Sequence, residues 1–504
     1  MTNSRAAVVG PLPVSSLSKF RNVLIRRLFI CSLLLALLQV GAHAATINVA
    51  AGGDLQAALN AAQPGDEVVL AAGATYTGNF VLPVKSGSFF VTVRSSRCGE
   101  LAAGARVSPG SAPQMARLAT PNVSPAVRAP ARSHHWRLQC LEVTQGASVG
   151  EWGYSLIQLG EGAPDENQKT PESVPHHFEL DRMIVRTRDA ATEAQNGLVL
   201  NVAHLTVKNS HVSGIKRKGV ETHALVGWNG PGPFTIENNY LEAASIPILF
   251  GGAKPTVPNL VPSDILIRGN TLFIRPEWKG QGYAVKNLLE LKNARRAQIT
   301  GNILENSYAD GQTGWAVIFN TFKDGGWEVV EDVTFSQNVI RNTANGIDLN
   351  GIDPDEKVNV RLHRIRISDN LLEGLGAYDG EGKAFQLVGG SEGVTFDHNT
   401  VKGRVRTALL LTALPNAKHA GLAFTNNLMP HGEYGVFGDG GTVGTAALDR
   451  FADRWSFAGN ALYARPDYVS QPYPPGNSFP RAEAEAARLK SADGVPVGRR
   501  QSPD

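Results

Sequence analysis

Cysteine is scarce in this 504-residue chain: there are three in all, and only Cys98 and Cys140 lie beyond the first 44 residues. A small scaffold stapled by disulfides is thereby excluded. Two thiols so diluted are expected to be simply buried, although export would allow them to pair. Aromatics make up only 7% of the residues, and no apolar run approaches the roughly 20 residues that a membrane-spanning helix needs. What is abundant is glycine, at 53 residues, within a chain that is 42% hydrophobic. That combination suits a turn-rich, stacked architecture with a large core better than a helical one.

The longest apolar run, Leu28 to Val40, follows Arg21, Arg26 and Arg27 and precedes Ala42-His43-Ala44. A basic start, a short apolar stretch and a small-residue cleavage site read as a secretory signal over 1–44, cut near Ala44. Cys31 has apolar residues continuing past it and is not in a lipoprotein cleavage context. Removing the leader takes away five positive charges and no acids, so the formal charge falls from +3 to about −2. The apparent basicity belongs to the leader. A nucleic-acid partner loses its main support, and stable membrane insertion is not expected.

Residues 45–95 read as an N-terminal cap and first coil. Asp54 can cap a helix through Ala62 that places Leu55, Ala58, Leu59 and Ala62 on one face. From Ser95 to Pro130 the composition predicts a long excursion, and 161–171 a second insertion. A repeat then takes over. Short alternating strands end in Asn239, Asn270, Asn302, Asn338, Asn370, Asn399, Asn427 and Asn460, spaced 31, 32, 36, 32, 29, 28 and 33 residues apart. Earlier copies are read with Cys140, Arg182 and Ser210 at that position. A second strand follows each, at Leu198, Val220, Ile248, Leu289, Val317, Ile347, Phe385, Leu409 and Val436. Strands this short bury a face only when stacked, and a repeated asparagine can bond from rung to rung. The prediction is an all-β parallel β-helix of roughly ten coils over 96–465. The tail, 466–504, is expected either to cap the open end or to fray, with a short helix over Glu483 to Lys490.

These repeats resemble the right-handed parallel β-helix superfamily that includes pectate lyases. Taken over the whole chain, they look like a secreted bacterial β-helix family without an assigned activity. The Asn-Thr-Asp, Asp-Asp and Gly-His-Gly motifs of polygalacturonases and the Arg-x-Pro-x-x-Arg pattern of classical pectate lyases are absent. Locally, Glu290-Leu291-Lys292-Asn293 followed by Gly301-Asn302 is similar to the chondroitinase B and alginate lyase group. That resemblance implies a polysaccharide lyase with Lys292 as its base. The next coil, from Val317 to Thr321, lacks the Arg-His pair of that group.

On the second strand set, alternate residues should point outward, placing Glu221 and His223 on one rung and Glu290 and Lys292 two rungs later. Asn320, Asp348 with Asn350, and Gln386 should follow. Such a polar ladder can hold an acidic polysaccharide and, for β-elimination, supply a base from Lys292 or His223. Glu290, Asp348, Asn320 and Asn350 are candidate Ca²⁺ ligands, since Ca²⁺ takes oxygen. Glu290 and Asp348, about 10 Å apart by rung spacing, also suit an inverting hydrolase. The alternative from another class is a non-catalytic glycan-binding or cell-surface scaffold, with Glu290 and Lys292 merely paired. Trp228, at the head of a loop, can stack on a sugar ring or pack on its own coil, as can Trp152, Trp278 and Trp315. The acidic stretch 348–356 lacks EF-hand spacing and reads as a turn. His134-His135 and His176-His177 are expected to be packing or turn residues rather than zinc ligands.

Overall fold

Strands of two to eight residues, each too short to be stable alone, recur so that successive coils build three sheets, with one strand in each over most of the chain. The computed structural model describes Ala7, Gly10 and residues 44–504, apart from 151, 165, 322–325, 352–360, 415–416, 492–493 and 501–504. The leader expected over 1–44 therefore lies almost wholly outside the described residues. The fold described below belongs to the unit Thr46–Asp504. Among the described residues no helix is long and apolar enough to cross a membrane.

All three sheets are parallel, apart from the terminal pairing of Gly435–Gly438 with Thr442–Val443, which is antiparallel. The first sheet carries the strands that lead into the asparagines, the second begins at those asparagines, and the third contains the second predicted strand set. Twelve parallel rungs are present in the third sheet among the described residues, rather than about ten. The additional coils lie before residue 176, where no asparagine marks the bend. Inward side chains stack into one continuous core, in which Leu225, Ile248, Leu289, Val317, Ile347, Phe385, Leu409 and Val436 succeed one another fully buried.

The bend between the first and second sheets shows why asparagine recurs. The backbone N–H and Nδ2 of Asn270 both donate to Oδ1 of Asn302, at 2.9 and 3.0 Å, and Nδ2 of Asn302 reaches back to the Ile267 carbonyl at 2.9 Å. The same pattern links every asparagine from Asn239 to Asn460 and continues to Asn477 in the tail. The residue just before each asparagine has φ between +53 and +69°, a conformation that suits Gly, Asn and Asp. Cys140 and Arg182 occupy this left-handed position, not the asparagine position, which in their coils falls to Leu141 and Met183. Ser210 does take the asparagine place and joins the ladder by donating its backbone N–H to Asn239 Oδ1.

Three further expectations change. Val220 does not begin a strand. His223–Gly227 does, because Leu225 is the residue that fills the core between Leu198 and Ile248. The excursion after Ser95 ends at Ala116, where strands of the second and third sheets resume, and it carries a disulfide from Cys98 to Cys140 in place of two free thiols. The tail does not fray over its described length: Asn477 accepts the last bonds of the ladder from Asn460, Ser478 bridges to Ala461, and Tyr473 and Phe479 pack on the core, so that 473–479 lies over the last coil. Ala486 and Val497 pack on Leu428, Ala461 and Tyr463, and Arg500 makes a two-pronged ion pair with Asp369 at 2.6 Å. Its helix is short, Glu483–Ala486. The ends are covered by helices Leu55–Ala61, capped by Asp54, and Thr445–Phe451.

Replacing Asn302 by alanine would strand the Asn270 donors and the Ile267 carbonyl in the interior. An unsatisfied buried polar group costs roughly 1–3 kcal/mol, so Asn302→Ala should lower the unfolding free energy by about 2–3 kcal/mol in urea titration. A loss below about 0.5 kcal/mol would contradict a structural role for the ladder.

Candidate active site on the third sheet

Parallel register fixes which outward side chains meet. One outward column of the third sheet reads Val199, Val226, Leu249, Glu290, Ile318, Asp348, Gln386 and Leu410. Its neighbours on the next outward position are Asn320 and Asn350, with Lys292 entering from the end of its strand. The apolar-to-polar change at Glu290 opens an outward groove of about 420 Å³. It is lined by Lys286, Glu290, Lys292, Trp315, Asn320, Asp348, Asn350 and Gln386, among others.

Within the groove, Lys292 Nζ lies 3.4 Å from Glu290 Oε1, and Asn287 Nδ2 donates to the other Glu290 oxygen at 3.1 Å. Both oxygens of Asp348 accept amide bonds, from Gln386 Nε2 at 2.9 Å and Asn350 Nδ2 at 3.0 Å. Burial nevertheless dominates at Asp348, which is 6% exposed, and lifts its pKa from 3.8 to about 6. Glu221 forms an ion pair with Lys286 and stands 3.8 Å from His223 Nε2. These neighbours, His223 first, hold the Glu221 carboxyl well below the usual range.

His223 was expected on the outward face beside Glu221. It starts its strand instead, two positions before the core residue Leu225, and its ring is buried. Asn196 fixes the ring, because its Nδ2 donates to the Tyr154 carbonyl and its Oδ1 faces His223 Nδ1 at 2.8 Å. Nδ1 thus carries a proton, and Nε2, turned toward Glu221, is enclosed and makes no hydrogen bond among the described residues. Burial lowers the His223 pKa against the pull of Glu221. The ring supports Glu221 from behind and does not face a bound chain.

Trp228 does not stand over the groove. It packs on the outward apolar patch Val199, Val226, Ile246 and Leu249, a rung or more before Glu290. Trp315 lines the groove, Trp278 is buried against Tyr283, and the Trp152 side chain is outside the described residues. The acidic stretch expected as a turn falls largely there too, at 352–356. Sequence reasoning missed Lys286, whose place two positions before Leu288 becomes visible only once Glu221 is brought beside it. Gln312 and Thr313, also in the groove, come from a connection with no motif of its own.

Glu290, Asp348 and Asn350 do not form one oxygen cage. Ile318 separates the two carboxylates by a rung, and the Asp348 oxygens already face N–H donors. A Ca²⁺ ion needs its ligands at 2.3–2.6 Å, so this donor set does not fit it. The expected histidine pairs do gather. His134 stacks on His176 at 4.8 Å and His135 on His177 at 4.5 Å, while burial and neighbouring rings lower His176 to about 4.

Among solved structures, AlyGC, a PL6-family alginate lyase, aligns with 90% of this chain and 58% of its own length, at 16% identity and a TM-score of 0.51. The chain is a parallel β-helix. It thus spans little more than half of that lyase. An alginate lyase from Paenibacillus sp. str. FPU-7 aligns over 71% of this chain and 95% of its own, at 16% identity and a TM-score of 0.38. XylC, in complex with xylose, aligns over 86% of each chain at 10% identity and 0.46. No family model matches the sequence, and neither does any curated protein.

A raised carboxyl pKa means that the folded chain binds the proton more tightly than the unfolded one. Stability from Asp348 is therefore present at low pH and lost as pH rises from about 3.8 through 6. The shift corresponds to about 3 kcal/mol. The difference in unfolding free energy between wild type and Asp348→Asn should change by that order between pH 4 and 7, wild type losing ground as pH rises. A difference that stays flat would show Asp348 to be ionised throughout.

Proposed function

We propose that this is a secreted carbohydrate-active enzyme, a polysaccharide lyase that cleaves an acidic glycan by β-elimination along the third sheet. The observation that carries the reading is the groove itself: two lysines and a carboxylic acid retaining its proton to about pH 6, all on one outward face. The rungs are about 4.8 Å apart, so a sugar chain laid along the column meets a new pair of side chains at each. The resemblance of the Glu290–Asn293 stretch to the chondroitinase B and alginate lyase group supports the same assignment.

In this reaction Lys292 is the base that removes the proton at C5 of a uronate seated over the Asn320 rung. Lys286 and Asn320 offset the charge of the sugar carboxylate, which makes that proton acidic enough to leave. The C5–H electrons form the C4–C5 double bond, the C4–O4 bond breaks, and Asp348 protonates the departing oxygen. Glu290 orients Lys292, and His223 holds Glu221 against Lys286.

A second reading, an inverting hydrolase, is favoured by one observation. Asp348 has the raised pKa of a general acid, and Glu290 lies two rungs away, about 10 Å, near the upper spacing for that mechanism. The two reactions differ in product. Purified protein incubated with a panel of uronic-acid polymers should generate the ultraviolet absorbance of an unsaturated uronate, with or without added Ca²⁺. Lys292→Ala should reduce the rate by about 10²–10⁴-fold, the range for loss of a general base. New reducing ends without that absorbance would establish hydrolysis, and no cleavage of any polymer would leave a binding scaffold.

A further inference from the structure

We propose that the five histidines at the start of the early first-sheet strands form a binding site for a transition-metal ion of the Zn²⁺ class. His135, His176 and His177 each offer one ring nitrogen, and the three atoms lie within 4.8 Å of one another. His134 and His204 complete the cluster, stacked on His176 at 4.8 Å and on His177 at 4.4 Å. The site stands on a different sheet from the groove and does not depend on the lyase reading.

Register creates the cluster. His134 pairs with His176 on adjacent strands, and His135, His177 and His204 occupy one left-handed backbone position in three successive coils, with φ of 57, 60 and 53°. Further along the sheet the same position holds Asp264, Arg296, Asp332 and Arg364. There the stacked side chains are matched in charge: Arg296 pairs with Asp264 at 2.7 Å, and Arg364 ion-pairs with Asp332. The histidine rungs have no such match, and among the described residues no carboxylate pairs with these rings. Instead Nδ1 of His134 faces Nδ1 of His135 at 2.8 Å, and Nδ1 of His176 faces Nδ1 of His177 at 2.7 Å.

Two ring nitrogens so close share one proton or one metal ion, because two N–H groups would repel. Imidazole suits Zn²⁺, Cu²⁺ and Ni²⁺, with Zn–N bonds of about 2.0–2.1 Å. Three imidazoles leave a fourth tetrahedral position for water or for a neighbouring ring. Because the ligands come from adjacent coils, the ion would clip those coils together.

The test uses the untagged mature chain, stripped by chelator and then titrated with Zn²⁺ by calorimetry. One equivalent should bind, and His135→Asn and His177→Asn should each abolish that equivalent. Asparagine tolerates positive φ, so either variant should keep the circular dichroism of the parent, and each stands in for the other should one misfold. X-ray absorption at the zinc edge of the wild-type complex should show at least three imidazole nitrogens. Wild type that binds no Zn²⁺, variants that retain it, or a shell of oxygen alone would overturn the proposal.

Discussion

Every feature of this molecule depends on the parallel strands stacking without slippage. A shift of one residue would exchange inward and outward side chains along an entire coil. The asparagine ladder opposes such a shift, because each side chain bonds at once to both neighbouring coils, as Asn302 does to Ile267 and Asn270 before it and to Asn338 after it. These bonds are buried, so breaking register exposes no water to replace them. The hydrophobic column supplies most of the driving force, while the ladder selects one alignment among those the apolar residues would accept.

Fixed register turns sequence into surface chemistry. Residues some 30 positions apart become neighbours, so a change of residue type from coil to coil is read out as a gradient along the sheet. On the third sheet the outward column passes from Val226 and Leu249 to Glu290 and Asp348. On the first sheet the left-handed position passes from histidine to alternating acid and base. Burial then differentiates chemically similar groups: Glu221, held by His223 and Lys286, keeps its charge, whereas enclosed Asp348 holds its proton to about pH 6.

Much of this is legible in the sequence itself. Periodic asparagines and alternating apolar runs identify the coils from Asn239 onward, and the helix capped by Asp54 follows from its apolar spacing. The early coils were less visible because Leu141 and Met183 stand where later coils have asparagine, and the left-handed residue beside them was mistaken for it. Val220 misled because Val-Glu-Thr-His alternates as well as a strand does, and only packing between Leu198 and Ile248 reveals Leu225 as the inward residue. For the site, strand register placed Glu290, Asn320, Asp348, Asn350 and Gln386 on one face. It was silent on loop partners such as Lys286, and on the turning of His223 into the interior. The pairing of Cys98 with Cys140 also escaped, since it joins an irregular excursion to a strand corner.

The proposed lyase requires an acidic glycan to lie along the outward column of the third sheet. A crystal structure of the Lys292→Ala variant with a bound uronic-acid oligosaccharide tests this most directly. The sugar chain should run parallel to the stacking direction, spanning the rungs of Glu290, Asn320 and Asp348, with one sugar carboxylate toward Lys286. An oligosaccharide seated on another sheet, or crossing the column without meeting Asp348, would contradict it.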